Sequence, residues 1–392
     1  MKLSRRVLEL AESATLAVTA KAARLKAEGV DVVSFGAGEP DFDTPLAIRQ
    51  AAVGALDAGQ TRYPKPASGI PVARQAVCAK LMRDSHLHYV PDQVIITSGG
   101  KEAAFLAIHA LIEPGDEVVI PAPYWVSYPE IVRLAGGTPV HVAGREERDF
   151  KLTSDLLRMS LTAKTRMFIL NSPSNPSGVT YHPDEIRALA SVLQEHDLIV
   201  FADEIYDRLI YDGQQTFSYA AAGAKAFAQT ITANSASKTY AMPGWRLGYA
   251  AGPKPIIDAM AKIQSQSTSG AATFAQVAYA EALSGDQAPV EAMRVEFQRR
   301  ANYMWDRLGK MPGVKCPRPS GAFYCFPNVA AAYSRLGVHG SIEFADRLLE
   351  KARVAVVPGE AFGMDAHIRL SFAVGMEQIT KGLDRIEAFL KG

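Results

Sequence analysis

Leu198-Ile-Val-Phe-Ala-Asp203-Glu-Ile-Tyr206 runs from an unbroken apolar stretch straight into a carboxylate. Apolar residues without polar alternation suit a strand covered on both faces, as in a parallel sheet. An acidic residue at its end stands where open α/β sheets place their ligands, outside the carboxyl ends of the strands. The same design recurs on either side. Arg166-Met-Phe-Ile-Leu170 runs into Asn171, and Thr230-Ile-Thr-Ala233 runs into Ser235-Ala-Ser-Lys238. Val94-Ile-Ile-Thr-Ser98 reads as another strand, followed by Gly99-Gly100 and a helical stretch through Ala103, Leu106 and Ala110; Glu117-Val-Val-Ile120 adds one more. Short apolar runs alternating with helix-length segments predict the α/β class with a mostly parallel sheet.

Past about residue 285 the pattern changes. A charged helix over Val290–Leu308, a strand-like piece at Gly321–Phe326, a helix near Ser341–Lys351 and strands at Ala355–Val357 and His367–Ser371 predict a smaller α+β domain. The expected division is a large domain over 46–285, with 1–45 and 286–392 forming an N-terminal arm and the small C-terminal domain.

The 392 residues are 48% hydrophobic, ample for a large core. Basic residues (42) balance acidic ones (41), so no electrostatic footprint favours nucleic acid or an anionic membrane. The cysteines, Cys78, Cys316 and Cys325, are odd in number and lack C-x-x-C spacing. They read as neither a disulfide framework nor a metal cage, which suits a reducing cytoplasm. No apolar run approaches the ~20 residues that span a bilayer, and the first residues lack the apolar core of a signal peptide.

Candidate chemistry gathers at the strand ends. In Ser235-Ala-Ser-Lys238-Thr-Tyr-Ala-Met-Pro-Gly-Trp-Arg246-Leu-Gly-Tyr249, a lysine sits among small hydroxyl residues with an arginine eight positions on. That set suits a phosphorylated aldehyde. An amine of depressed pKa forms an imine readily, and hydroxyls with a guanidinium hold a phosphate through charge-assisted hydrogen bonds. Thr97-Ser-Gly99-Gly100-Lys101 puts two glycines at a helix start, a backbone anion site. Asp203 either caps the next helix or holds the proton of a ring nitrogen. Asn171-Ser-Pro-Ser-Asn175-Pro-Ser-Gly178 is a proline-stiffened turn that aims one amide. Trp125, in Pro123-Tyr-Trp-Val-Ser-Tyr128, is a core residue or a stacking surface. Arg369, in His367-Ile-Arg-Leu-Ser371, is a charge on an apolar strand and needs a partner.

Together these strings resemble the class-I aminotransferases, fold-type I enzymes that use pyridoxal 5'-phosphate (PLP). The string from Ser235 to Gly248 is similar to the family's cofactor-attachment motif, and the 35 residues from Asp203 to Lys238 match its spacing. The resemblance spans essentially the whole chain. It is nearest to the bacterial aspartate aminotransferase branch, as in Tyr63-Pro-Lys-Pro-Ala-Ser-Gly-Ile-Pro71 and Ser265-Gln-Ser-Thr-Ser269.

The resemblance implies that Lys238 carries the cofactor as a Schiff base and moves the proton, that Asp203 partners the ring nitrogen, and that Tyr206 and Asn175 bind the phenolic oxygen. It implies a phosphate cup of Gly99, Gly100, Lys101, Ser235, Ser237 and Arg246, with Trp125 stacked on the ring. For the substrate it implies Arg369 on the α-carboxylate, with Trp125, Asn175 and Gly38 (in Phe35-Gly-Ala-Gly38-Glu-Pro-Asp-Phe42) lining the site. Lys101 would meet a distal carboxylate, supported by Ser13 and Thr15. Tyr63 would reach the phosphate of a neighbouring subunit, hence a homodimer with shared active sites.

The implied reaction moves an amino group from an L-amino acid, aspartate foremost, to a 2-oxo acid such as 2-oxoglutarate. Aromatic, prephenate and alanine aminotransferases and a PLP-dependent β-lyase or aminocyclopropane-carboxylate synthase are alternatives on the same scaffold. Many relatives carry Lys-Pro before Ser-Ala-Thr, a lysine linked to prephenate use; Ala11-Glu12 stands here instead, which weakens that alternative. A non-catalytic PLP-binding regulator would carry a DNA-binding domain, for which the sequence leaves no room before Gly36.

Overall fold

A computed structural model of the chain describes residues 2–8, 10–11 and 14–392. Its strands, in chain order, are β1 (Val33–Ser34), β2 (Val94–Thr97), β3 (Glu117–Ala122) and β4 (Thr138–Ala143). Then come β5 (Thr165–Asn171), β6 (Ile199–Asp203), β7 (Thr230–Ser235) and β8 (Gly248–Ala251). The last four are β9 (Tyr324–Cys325), β10 (Val354–Ala355), β11 (Val357–Pro358) and β12 (Ile368–Ser371).

Seven strands make one sheet in the order β2-β8-β7-β6-β5-β3-β4. Five neighbours, from β7 to β4, run parallel; β8 is antiparallel to both β7 and β2. β2, β7 and β8 are buried at every position, β7 including its polar Thr230, Thr232, Asn234 and Ser235. Two strands of this sheet escape the sequence reading for physical reasons. β4 is an edge strand, exposed or half-buried throughout and carrying Pro139. β8 is four residues, Gly-Tyr-Ala-Ala, without a β-branched side chain.

The register positions the site. Asn171 pairs with Asp203, and Asp203 with Ala233, so the carboxyl ends of β5, β6 and β7 lie side by side. The reversed β8 brings Gly248 between Ser235 of β7 and Thr97 of β2. Only glycine fits there: a Cβ on Gly248 would lie 2.7 Å from the Gly99 carbonyl carbon and 2.9 Å from the Asn234 oxygen.

In the C-terminal part, β11-β12-β9 form an antiparallel sheet, and β10 pairs in parallel with β1. The expected strand Ala355–Val357 is broken between these two sheets, and Gly321–Phe326 is a strand only at Tyr324–Cys325. Helices Ala288–Gly309, Ser341–Ala352 and Met376–Lys391 bury Phe297, Phe344 and Leu383 in one core with Phe35 and Tyr324. Residues from both ends of the chain therefore pack together. Among the described residues, no helix is long and apolar enough to cross a membrane.

Candidate active site

A cavity of about 430 Å³ opens at the carboxyl ends of β2, β5, β6 and β7, and its floor holds the groups singled out by chemistry. At one end, helix Gly100–Leu111 begins directly after β2. The first N–H groups of a helix have no partner within it, and they stand at the positive end of its dipole. Gly99 precedes them with φ +90°, and a Cβ there would meet Arg246 Nη2 at 2.6 Å. Arg246 is held by its own donors, Nη1 to Pro243 O at 2.9 Å and Nη2 to Ser98 O at 3.1 Å. Ser235 Oγ caps the short helix Ala236–Thr239 by accepting from Ser237 N at 3.1 Å, and the two serine hydroxyls stand 2.8 Å apart. Amides, a guanidinium and two hydroxyls thus converge on one spot, the donor set of a phosphate dianion.

Lys238 lies one turn further into the cavity. Its Nζ donates to the Gly38 carbonyl and sits 5.7 Å from the Phe323 ring centre. Burial, then the nearby Arg369 and Arg246 charges, push this amine down to about 8, although Glu39 and Asp203 work against them. A substantial neutral fraction at neutral pH is what a nucleophilic lysine needs.

Asp203 ends β6, buried. Its Oδ2 accepts from Tyr128 Oη at 2.6 Å and its Oδ1 from Ile205 N at 3.2 Å. Burial raises its pKa, and the two donors and Lys238 restrain the rise. The Asn171 side chain donates to the Asp203 carbonyl at 3.1 Å, and its own oxygen accepts from Asn175 N at 2.9 Å, fixing the proline turn against β6.

Arg369 is 2% exposed on β12. Nη1 donates to Asn175 Oδ1 at 3.0 Å and Nη2 to Gly36 O at 2.9 Å, while Nε is buried without a partner. The guanidinium lies over Tyr324 at 4.5 Å and Phe362 at 5.2 Å. Among the described residues no carboxylate meets it, and its neighbours are neutral acceptors and rings.

The rim holds Trp125, half-buried and edge-on to Tyr128 at 5.1 Å, with Lys101 Nζ 5.2 Å from a Trp125 ring centre. Burial and Arg246 lower the Lys101 pKa. Thr15, on helix Ala14–Ala27, lines the same cavity, as do Gly38 and Gly100. Ser13 and Glu12 lie outside the described residues. Tyr63 is not brought to the cavity of its own chain; it is 79% exposed.

Two further side chains shape the site without a clear signal in the sequence. Tyr128 belongs to an aromatic string, yet it holds Asp203. Tyr324 sits in a strand-like piece, yet its hydroxyl lies 2.9 Å from that of Tyr206. The nearest signal was the spacing of Tyr128 from Trp125, about one helical turn.

The residues fit PLP. A glycine cradle that a side chain would fill faces the phosphate donors, an amine of lowered pKa stands beside it, and a buried carboxylate lies at the end of the adjacent strand.

The family model described as Aminotransferase class I and II matches residues 30–386. The aspartate aminotransferase of Geobacillus stearothermophilus is 46% identical over 391 residues, covering 100% of this chain and 99% of that protein. The aspartate/prephenate aminotransferase of Nitrosomonas europaea is 45% identical over 397 residues and 100% of both. The solved structure of Thermus thermophilus aspartate aminotransferase with maleate matches with a TM-score of 0.94 at 43% identity, over 99% of each chain.

Proposed function

The chain belongs to the class I and II aminotransferases, and from that premise we propose that it moves the amino group of L-aspartate to a 2-oxo acid such as 2-oxoglutarate. Its fold is fold type I and its cofactor is PLP. When bound, PLP supplies an electron-withdrawing ring that makes the α-hydrogen of an attached amino acid acidic.

Arg369 carries the reading. A buried cation without an anion is costly, and a substrate α-carboxylate supplies the missing charge in a planar, two-point geometry. Fixed there, an amino acid presents its α-hydrogen toward Lys238. Nζ of Lys238 would take that proton and hand it on within the same half-reaction, as general base and then general acid. Asp203, which accepts from Tyr128 and Ile205, would hold the proton on the ring nitrogen. Tyr206 and Asn175 would bind the phenolic oxygen, Trp125 would cover the ring, and Gly99, Gly100, Lys101, Ser235, Ser237 and Arg246 would take the phosphate end.

A dicarboxylic donor is favoured because Lys101 and Thr15 line the cavity along with Arg369, and because a relative was solved with maleate, a dicarboxylate. Ser13 belongs to the same end in this proposal. A homodimer completes the site: Tyr63 projects into solvent, as a residue given to a neighbour's phosphate must. Leu46 and Val53 on helix Leu46–Asp57 are also exposed, apolar surface that a second copy would cover. A reducing cytoplasm suits three free cysteines.

The test is a single half-reaction of the purified PLP enzyme with separate amino acids, followed by the cofactor's visible absorbance. Aspartate and glutamate converting it fastest support the proposal. Faster conversion by aromatic or small amino acids removes the aspartate assignment, and release of pyruvate and ammonia would make it a lyase. Prephenate belongs among the acceptors tried, since relatives carry the double name.

A further inference from the structure

Tyr324 opens β9 and is 1% exposed, yet it faces the cavity. Its hydroxyl lies 2.9 Å from the Tyr206 hydroxyl, and its ring lies 4.5 Å beneath the Arg369 guanidinium. A Cβ on Gly38 would stand 3.6 Å from the same hydroxyl, so the phenol also reaches the segment whose carbonyl accepts from Lys238. Pairing of Ser371 with Tyr324 and Leu370 with Cys325 locks β9 onto the strand that bears Arg369. One side chain therefore touches both the carboxylate clamp and the phenol on the cofactor side.

We propose that Tyr324 is a positioning residue that couples the two: its ring sets the plane of Arg369, and its hydroxyl donates to Tyr206 so that the Tyr206 proton points into the cavity. This rests on the cofactor reading of Lys238 and Tyr206 given above.

The argument is one of proton counting. A phenol has one proton to give and lone pairs to accept with. Were Tyr206 to donate to Tyr324, it would have nothing left for a cofactor oxygen. With Tyr324 as donor, Tyr206 keeps its proton for the cavity, and accepting a hydrogen bond makes it a stronger donor in turn. The charged groups facing the pair are Arg369 and Asp203. Arg369 has only neutral hydrogen-bond partners, so ring stacking on Tyr324 and Phe362 supplies much of its orientation.

The experiment compares Tyr324→Phe and Tyr324→Leu in the PLP-loaded enzyme, with Tyr206→Phe as background. Borohydride reduction and peptide mass first establish that each variant carries the cofactor on Lys238. The midpoint of the cofactor's visible absorbance against pH is then measured, together with the affinity for succinate, an unreactive dicarboxylate. Tyr324→Phe is expected to raise the midpoint by about half a pH unit, the size of a modest hydrogen bond, with succinate affinity nearly unchanged. Tyr324→Leu is expected to raise it equally and also weaken succinate about fivefold, since the ring face is gone. In the Tyr206→Phe background, Tyr324→Phe should move the midpoint no further. An unmoved midpoint in Tyr324→Phe, a full shift in the Tyr206→Phe background, or unchanged succinate affinity in Tyr324→Leu each overturns the proposal. Wild-type protein with no cofactor mass on Lys238 would instead bring down the cofactor reading, and this proposal with it.

Discussion

Tyr128 donates its hydroxyl proton to Oδ2 of Asp203 across 2.6 Å, from 75 residues away in the chain. Burial opposes ionisation of that carboxyl, and the Tyr128 hydroxyl is the first of the groups that favour it. Tyr128→Phe keeps the burial and removes the donor, so the Asp203 pKa rises further. The acid limb of kcat/KM is expected to move to higher pH, and PLP to bind more weakly. A profile measured between about pH 5 and 9 checks this; an acid limb left in place counts against the role given to Asp203.

Arg369→Lys keeps the charge and loses the planar fork. The kcat/KM for aspartate is expected to fall roughly a hundredfold, largely through KM, while the absorbance of the bound cofactor is unchanged. Steady-state kinetics beside an absorbance spectrum decide it. A purely structural arginine would alter the spectrum or the stability and leave KM alone.

Gly99→Ala places a methyl 2.6 Å from Arg246 Nη2 at a backbone φ of +90°. Arg246 must give way, and the phosphate cup opens. The dissociation constant for PLP is expected to rise about tenfold or more, whereas binding of pyridoxal, which lacks the phosphate, stays nearly the same. Equal losses for both ligands would mean that the substitution disturbs the sheet rather than the cup.

Glu204, next to Asp203, is buried and accepts from Ser218 Oγ at 2.6 Å; burial lifts its pKa to about 7. The folded state thus binds this proton more tightly than the unfolded chain does. The stability it contributes is present in full below the unfolded pKa and is lost as pH rises through about 7. Wild type is expected to lose roughly 2 kcal/mol from this group between pH 5.5 and 8, and Glu204→Gln to lose that much less. Urea unfolding at the two pH values tests it; parallel losses in both proteins would show that Glu204 is not the titrating group.

What the sequence makes legible is local. Asn171, Asp203 and Ser235–Lys238 each follow an apolar run directly, so strand and loop are read in one window, and the register then sets them side by side. Arg369 is legible as a charge out of place on an apolar strand. The unread parts depend on long separations: Tyr128 on Asp203, and Tyr324 on Tyr206, 118 residues apart. No spacing rule links such pairs. β8 is hidden for another reason, because Gly-Tyr-Ala-Ala offers only Tyr249 as a strand-favouring side chain and is a strand by insertion between β2 and β7.

The hydrogen bond from Arg369 to the Gly36 carbonyl closes a span of 333 residues, and β1 pairs with β10 beside it. Domains form as the chain leaves the ribosome, from the N-terminal side onward. A nascent chain that has emerged as far as β8 carries every strand of the seven-stranded sheet along with Lys238, and still lacks Arg369. The ability to recognise substrate arrives with the last stretch of translation. A product cut short before β12 lacks the arginine that meets the α-carboxylate, so turnover, rather than cofactor content, is the measure of a complete chain.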